Sequence, residues 1–234
     1  MKAVFWDYDG TLVDTRFKNY QVTKNIIQDV TKGNANQFPL LQSFENYKQG
    51  IINIKNWRDI YTDHFGFSEE TTDNVGRMWT DYQAASRTEA PLFPGIDGVI
   101  RQFQNLPQAI ISQNASGNIR KSMAAHDLER FFSEIIGFEE VDIRMQKPDP
   151  YGLLVCIERM KLHGLHTLFY IGDHESDVQL VQNANRKIST LGINLKINSV
   201  AVCFDDQNPD SWAVQPDFVA TSAEQITAIV EPIV

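Results

Sequence analysis

Four short runs, Ala3 to Trp6, Gln108 to Ser112, Thr167 to Ile171 and Val200 to Phe204, are apolar through their interiors. They lack the polar-apolar alternation of a half-solvated strand, so each reads as a strand covered on both faces. Weaker strand-like segments lie at Glu134 to Phe138 and Asp217 to Val219, with helix-like segments between them. Leu153, Ile157 and Met160 keep helical spacing up to Gly164, and Ser222 with Gln225 forms a capping-box pattern ahead of Ile226, Ile229 and Val230. Buried strands that alternate with helices fit few architectures. The expectation is an α/β fold with a doubly wound, mainly parallel, Rossmann-like sheet.

Between the first two strands the alternation fails. From about Arg16 to Arg87 the pattern is helical throughout, carried by Phe17, Tyr20 and Ile27, then Trp57, Ile60 and Tyr61, then Val75, Met78, Trp79 and Tyr82. The stretch AASRTEAPLFPG, with Pro91, Pro94 and Gly95, punctuates the return to the sheet pattern. The expected organisation is therefore a core from 1–15 and 88–234 with an all-helical domain inserted at 16–87. Trp57, Tyr61, Trp79 and Tyr82 are expected in the core of that insert, Lys55 and Arg58 in solvent, and Thr31 to Phe38 in a loop.

Charge and composition narrow the partners. The 234 residues carry a formal charge of −9 with no offsetting cluster of lysines or arginines, so a nucleic-acid backbone would be repelled. A small phosphorylated ligand in a locally positive pocket is compatible with that field, and a divalent cation is favoured by it. No apolar run is long enough to span a membrane and no secretory signal is evident, which makes a cytoplasmic location the expectation. Two cysteines, Cys156 and Cys203, are expected to be buried reduced thiols. Monomer and homodimer both remain open.

In an open parallel sheet, ligands bind outside the carboxyl ends of the strands. The first strand ends in Asp7-Tyr8-Asp9-Gly10-Thr11, the second in Ser112-Gln113-Asn114 and the third in Gly172-Asp173-His174-Glu175-Ser176-Asp177. Gln146-Lys147-Pro148-Asp149-Pro150 precedes the helix of Leu153. Asp7 and Asp9 read either as a polar strand end or as a carboxylate pair converging on one cation. Taken singly, Lys147 is a surface lysine, Ser112 a strand-end cap, and Asp173 with Asp177 a helix-start acid pair. Their joint order at strand tips reverses that reading. His174, Glu175 and Asp149 are expected only as helix-start polar residues.

DYDGTLVDT, IISQN, QKPDP and GDHESD resemble the four successive motifs of the haloacid dehalogenase superfamily, across nearly the whole chain. PLFPGI and FFSEIIGFEEV further resemble its phosphoglycolate phosphatase-like branch, in which a helical cap is inserted after the first motif. The resemblance implies a Mg²⁺-dependent phosphatase acting on a small phosphorylated metabolite through an aspartyl-phosphate. Asp7 would be the nucleophile, and Asp9 the general acid and then the general base. The metal would take the Asp7 carboxylate, the Asp9 backbone carbonyl and the Asp173 carboxylate. Ser112, the backbone N–H of Gln113, and Lys147 would clamp the phosphate, with Asp177 acting on Lys147 or a metal water. Gly10 would allow close backbone approach to the phosphate and Thr11 would stabilise its turn.

The chain departs from the family pattern at Gln113, where asparagine is usual, at His174, where a small hydroxyl residue is commoner, and in the long stretch from Asn185 to Val202, expected as an added hairpin, a rim loop or a partner surface. Asp9 argues against a dehalogenase, which would not need that acid. A phosphomutase, a phosphonatase using Lys48 or Lys55, and a non-catalytic phospho-ligand sensor remain the alternatives.

Overall fold

The sheet consists of six parallel strands in the order β3-β2-β1-β4-β5-β6. In the computed structural model, which describes residues 2–51, 54, 57–162, 167–204 and 208–231, they are β1 (Lys2–Trp6), β2 (Gln108–Ile111), β3 (Glu134–Ile136), β4 (Thr167–Gly172), β5 (Lys196–Val202) and β6 (Phe218–Ala220). Phe5 of β1 lies opposite Ala109 on one side and Tyr170 on the other. Successive strands step outward from β1 to β3 and then restart at β4 on the far side of β1. The switch point thus falls between β1 and β4, where an open α/β sheet leaves a crevice at its carboxyl edge.

The α/β fold expected from the apolar runs is the one observed. On one face Phe5, Ala109, Leu168 and Tyr170 pack with Leu153 and Cys156 of α7 (Tyr151–Arg159) and with Leu180, Val181 and Ala184 of α8 (Glu175–Thr190). On the other, Trp6 stacks at a tilt on Phe103, just beyond α5 (Ile96–Gln102). The Trp6 indole donates to Gln108 Oε1 at 3.1 Å, and the Gln108 amide donates to the Ile100 carbonyl at 3.0 Å, so this buried glutamine is satisfied. α6 (Ser116–Ala125) follows β2, and α9 (Ala223–Val230) follows β6.

The chain divides into two compact units, Met1–Asp14 with Leu92–Val234, and Thr15–Pro91. The second is helical: α1 (Arg16–Thr31), α2 (Phe44–Ile51), α3 (Trp57–Phe65) and α4 (Glu69–Ala85), around Tyr20, Ile26, Ile27, Leu41, Tyr47, Tyr61 and Val75. A short 3₁₀ turn, Ala35–Gln37, interrupts the loop expected at Thr31 to Phe38. Among the described residues no helix is long and apolar enough to cross a membrane.

Several expectations are corrected. Asn185 to Val202 is not an added hairpin: its first six residues finish α8, Lys196 to Val202 is β5 itself, and only 191–195 form a loop between them. The polar Asn198 and Ser199 conceal that strand, yet both are buried and bonded, Asn198 to the Leu168 carbonyl and Ser199 to Asp217. Trp57 is 48% exposed rather than core, its indole lying where a side chain at Gly76 would stand. Arg58 pairs with Glu69 at 2.7 Å and Asp73 at 2.8 Å instead of pointing into solvent alone. Ser222 does cap α9, but Gln225 accepts from the backbone of Thr221 rather than of Ser222. Lys55 and Gly164 lie outside the described residues.

Both cysteines are buried and free, and burial pushes the Cys203 thiol up to about 11. Leu153, fully buried between sheet and α7, should cost about 2–5 kcal/mol when replaced by alanine. Leu191→Ala, at an exposed position, should stay within about 0.5 kcal/mol of wild type. Urea unfolding of the two variants checks this, and equal midpoints would contradict the packing described.

Candidate active site

Each strand that reaches the switch point delivers a polar residue there. β1 continues its pairing one residue further, Asp7 N donating to the Ile171 carbonyl at 2.8 Å, so the Asp7 side chain starts from ordered backbone. The chain then turns sharply: the Tyr8 carbonyl accepts from Thr11, Leu12 and Val13. Gly10 sits at φ +76°, and a Cβ there would run into the Asp173 carboxylate. The glycine thus makes room for an acid from β4. Thr11, expected to brace its own turn, donates its hydroxyl to Asp173 Oδ1 at 3.3 Å and so ties the two strand tips together.

Lys147 lies among three acidic and aromatic neighbours. Its Nζ is 2.7 Å from Asp7 Oδ1 and 2.7 Å from Asp177 Oδ1, and it stands 5.3 Å above the ring of Tyr170. The ammonium side chain is only 5% exposed, and those of Asp7 and Asp177 are 12% and 3% exposed. Burial pulls the lysine towards neutrality, but Asp177 and Asp7 outweigh it and hold Lys147 well above the ordinary lysine range. Asp177 is anchored twice, accepting from Lys147 and, through Oδ2, from the backbone of His174. His174 in turn caps α8, its Nδ1 accepting from Ser176 N at 3.2 Å, so the residue is a helix start as expected.

Asp7 is less well satisfied. Its Oδ1 meets Lys147 at ion-pair distance without the alignment of a formed hydrogen bond, leaving a buried carboxylate oxygen with charge compensation but no directed donor. Burial is the main reason its carboxyl is raised to about 7, opposed by Lys147 and reinforced by the charges of Asp177 and Asp9. Burial also raises Asp173 well above its usual range, with Asp7 and Asp177 adding to the effect. Asp7, Asp173 and Asp177 each offer one carboxylate oxygen, all within 4.8 Å of one another. Three acids share one ammonium, and a cluster of three carboxylates whose oxygens lie this close together fits a hard divalent cation.

The remaining candidates divide. Ser112 stands at the tip of β2, its N–H donating to the Ile136 carbonyl at 3.0 Å and its Oγ accepting from Asn114 N at 3.2 Å. The Gln113 side chain faces solvent, which leaves only its backbone for a phosphate. Asp9 is half-buried, with Asn114 Nδ2 at 3.3 and 3.1 Å from its two carboxylate oxygens. The sequence alone assigns no role to Asn114 or Tyr170. An amide two residues past the strand-end serine was the available signal for the first, while the second is hidden as one more apolar strand residue.

A family profile described as haloacid dehalogenase-like hydrolase matches residues 4–191. The chain belongs to this family. Pyrophosphatase PpaX of Oceanobacillus iheyensis is 23% identical over 98% of this chain and 97% of its own length. Phosphoglycolate phosphatase of Escherichia coli (strain K12) is 30% identical over 120 residues, 50% of this chain and 46% of that protein. A haloacid dehalogenase-like family hydrolase from Streptococcus pneumoniae shares the fold with a TM-score of 0.68 at 16% identity, covering 97% of each chain.

In this haloacid dehalogenase-like hydrolase, folding carries Asp7 from the usual aspartate range to about 7. Between roughly pH 4 and 7 the folded protein therefore holds a proton that the unfolded chain has lost, and this residue's contribution weakens stability as pH rises. With chelator present, the stability of wild type relative to Asp7→Asn should decline across that interval in urea titrations. Parallel curves would contradict the burial of Asp7.

Proposed function

We propose that the protein is a Mg²⁺-dependent phosphatase that hydrolyses a small phosphorylated metabolite through an aspartyl-phosphate on Asp7. The observation that carries this reading is the meeting of Asp7, Lys147, Asp173 and Asp177 at the β1/β4 switch point. A nucleophile, a phosphate-sized positive charge and a cation cradle are then neighbours. Asp7, Asp173 and the backbone carbonyl of Asp9 would hold the metal. When bound, Mg²⁺ screens the repulsion between an anionic nucleophile and an anionic phosphate and polarises the phosphoryl oxygens.

The chain's own groups supply the rest. Asp7 attacks phosphorus in line as the P–O bond to the leaving group breaks. Asp9 gives its proton to the departing oxygen, then accepts one from the water that cleaves the acyl phosphate and frees Asp7. Lys147, the Ser112 hydroxyl and the Gln113 N–H stabilise charge on the transferring group. The helical unit acts as the cap, excluding water and selecting the leaving group, and the protein works in the cytoplasm as a monomer or homodimer. The likeness to a pyrophosphatase over nearly the full length supports pyrophosphate as a second substrate reading, beside a phosphorylated monoester.

Release of phosphate from p-nitrophenyl phosphate should require Mg²⁺ and stop on chelation. Asp7→Asn should abolish turnover, and Asp9→Asn should reduce it by roughly 10²–10⁴-fold. Wild-type turnover in Asp7→Asn would make Asp7 the wrong nucleophile, and an inactive wild type at several pH values would favour a phospho-ligand sensor. A panel of phosphorylated metabolites and pyrophosphate, ranked by kcat/KM, identifies the substrate class.

A further inference from the structure

Asn114 is held by more bonds than a strand-end loop needs. Its N–H donates to Ser112 Oγ at 3.2 Å, its carbonyl accepts from Phe138 N at 3.1 Å, and its Oδ1 accepts from Ala115 N at 2.8 Å. The last contact settles which way the amide points. A backbone N–H can only donate, so the atom facing Ala115 is the oxygen and the NH₂ group is turned the other way. That group faces Asp9, 3.3 Å from one carboxylate oxygen and 3.1 Å from the other. Asn118 Nδ2, one helical turn on, approaches the same Oδ1 at 3.5 Å and supports this orientation.

We infer that Asn114 is a positioning residue for Asp9, fixing the plane of its carboxyl and linking it to the phosphate-facing Ser112. The inference rests on the reading of Asp9 as general acid and base. In the first step the Asp9 O–H bond breaks as its proton passes to the leaving oxygen, and the electron pair stays on Asp9 as carboxylate charge. A donor already aimed at that carboxyl strengthens as the charge develops, without reorganising at the moment of transfer. In the second step the same carboxylate takes a proton from the attacking water, and the bond relaxes again. Asn114 touches no reacting atom of the substrate in this scheme; it acts through Asp9.

Asn114→Asp is the informative variant. It preserves size and the acceptor for Ala115 N but replaces the donor facing Asp9 with an acceptor oxygen. Leaving-group chemistry separates positioning from general damage, because p-nitrophenyl phosphate needs little proton assistance and phenyl phosphate needs more. With Mg²⁺ present, kcat/KM should fall roughly tenfold for p-nitrophenyl phosphate and roughly a hundredfold for phenyl phosphate. In an Asp9→Asn background the same substitution should change either by less than about twofold, since the group it acts through is gone. Asn114→Ala, whose loss should also be larger on phenyl phosphate, serves if the aspartate variant melts early. Equal losses on the two esters, or a full further loss in the Asp9→Asn background, would overturn the inference. Wild-type rates in Asn114→Asp would sink the Asn114 assignment alone, whereas a wild type inactive on both esters would sink the phosphatase reading beneath it.

Discussion

The ammonium of Lys147, buried between Asp7 and Asp177, is the contact on which the rest of the site depends. Buried charges are tolerated only when paired, and here the pairing is incomplete: Asp173 adds a third carboxyl, and Asp7 retains an oxygen with no directed donor. The upward shifts of Asp7 and Asp173 have the same origin. A stable fold could have filled this crevice with apolar side chains. Keeping three acids and one base there costs stability, a pattern expected where surplus charge has a chemical use.

The sheet makes that concentration of charge possible. Because β1 and β4 are neighbours and the chain order reverses between them, Asp7 and Asp173 emerge side by side although 166 positions separate them in number. Gly10 supplies the clearance, Thr11 the cross-link, and α8 begins where His174 and Asp177 cap one another. Tyr170 extends the arrangement across the sheet: its hydroxyl donates to the Ile111 carbonyl at 3.0 Å, next to Ser112, while its ring lies under Lys147. Both sides of the proposed phosphate clamp are thereby referred to one buried ring.

Much of this was legible in the chain itself. Runs such as AVFW and TLFYI have no polar face and so could only be interior strands, and the acids that follow them had to stand at strand tips. Family membership was legible from the four motifs for the same reason. What escaped depends on partners far away in sequence. The strand expected from Val200 begins four residues earlier, at Lys196, because Asn198 and Ser199 look like loop residues until Leu168 and Asp217 are seen to satisfy them. Thr11 was assigned to its own turn because local bonds are the only ones a sequence displays. Asn114 passed unnoticed since its significance lies in facing Asp9, 105 residues earlier.

The proposed role of the Asp7–Asp173 pair, with Lys147 beside it, is to hold one divalent cation. Isothermal titration of Mg²⁺ into the protein at neutral pH, compared with Asp173→Asn, addresses it most directly. The account requires one saturable ion per chain in the wild type, accompanied by proton release, and its loss in the variant. Indistinguishable binding curves for the two proteins, or no binding to either, would contradict it.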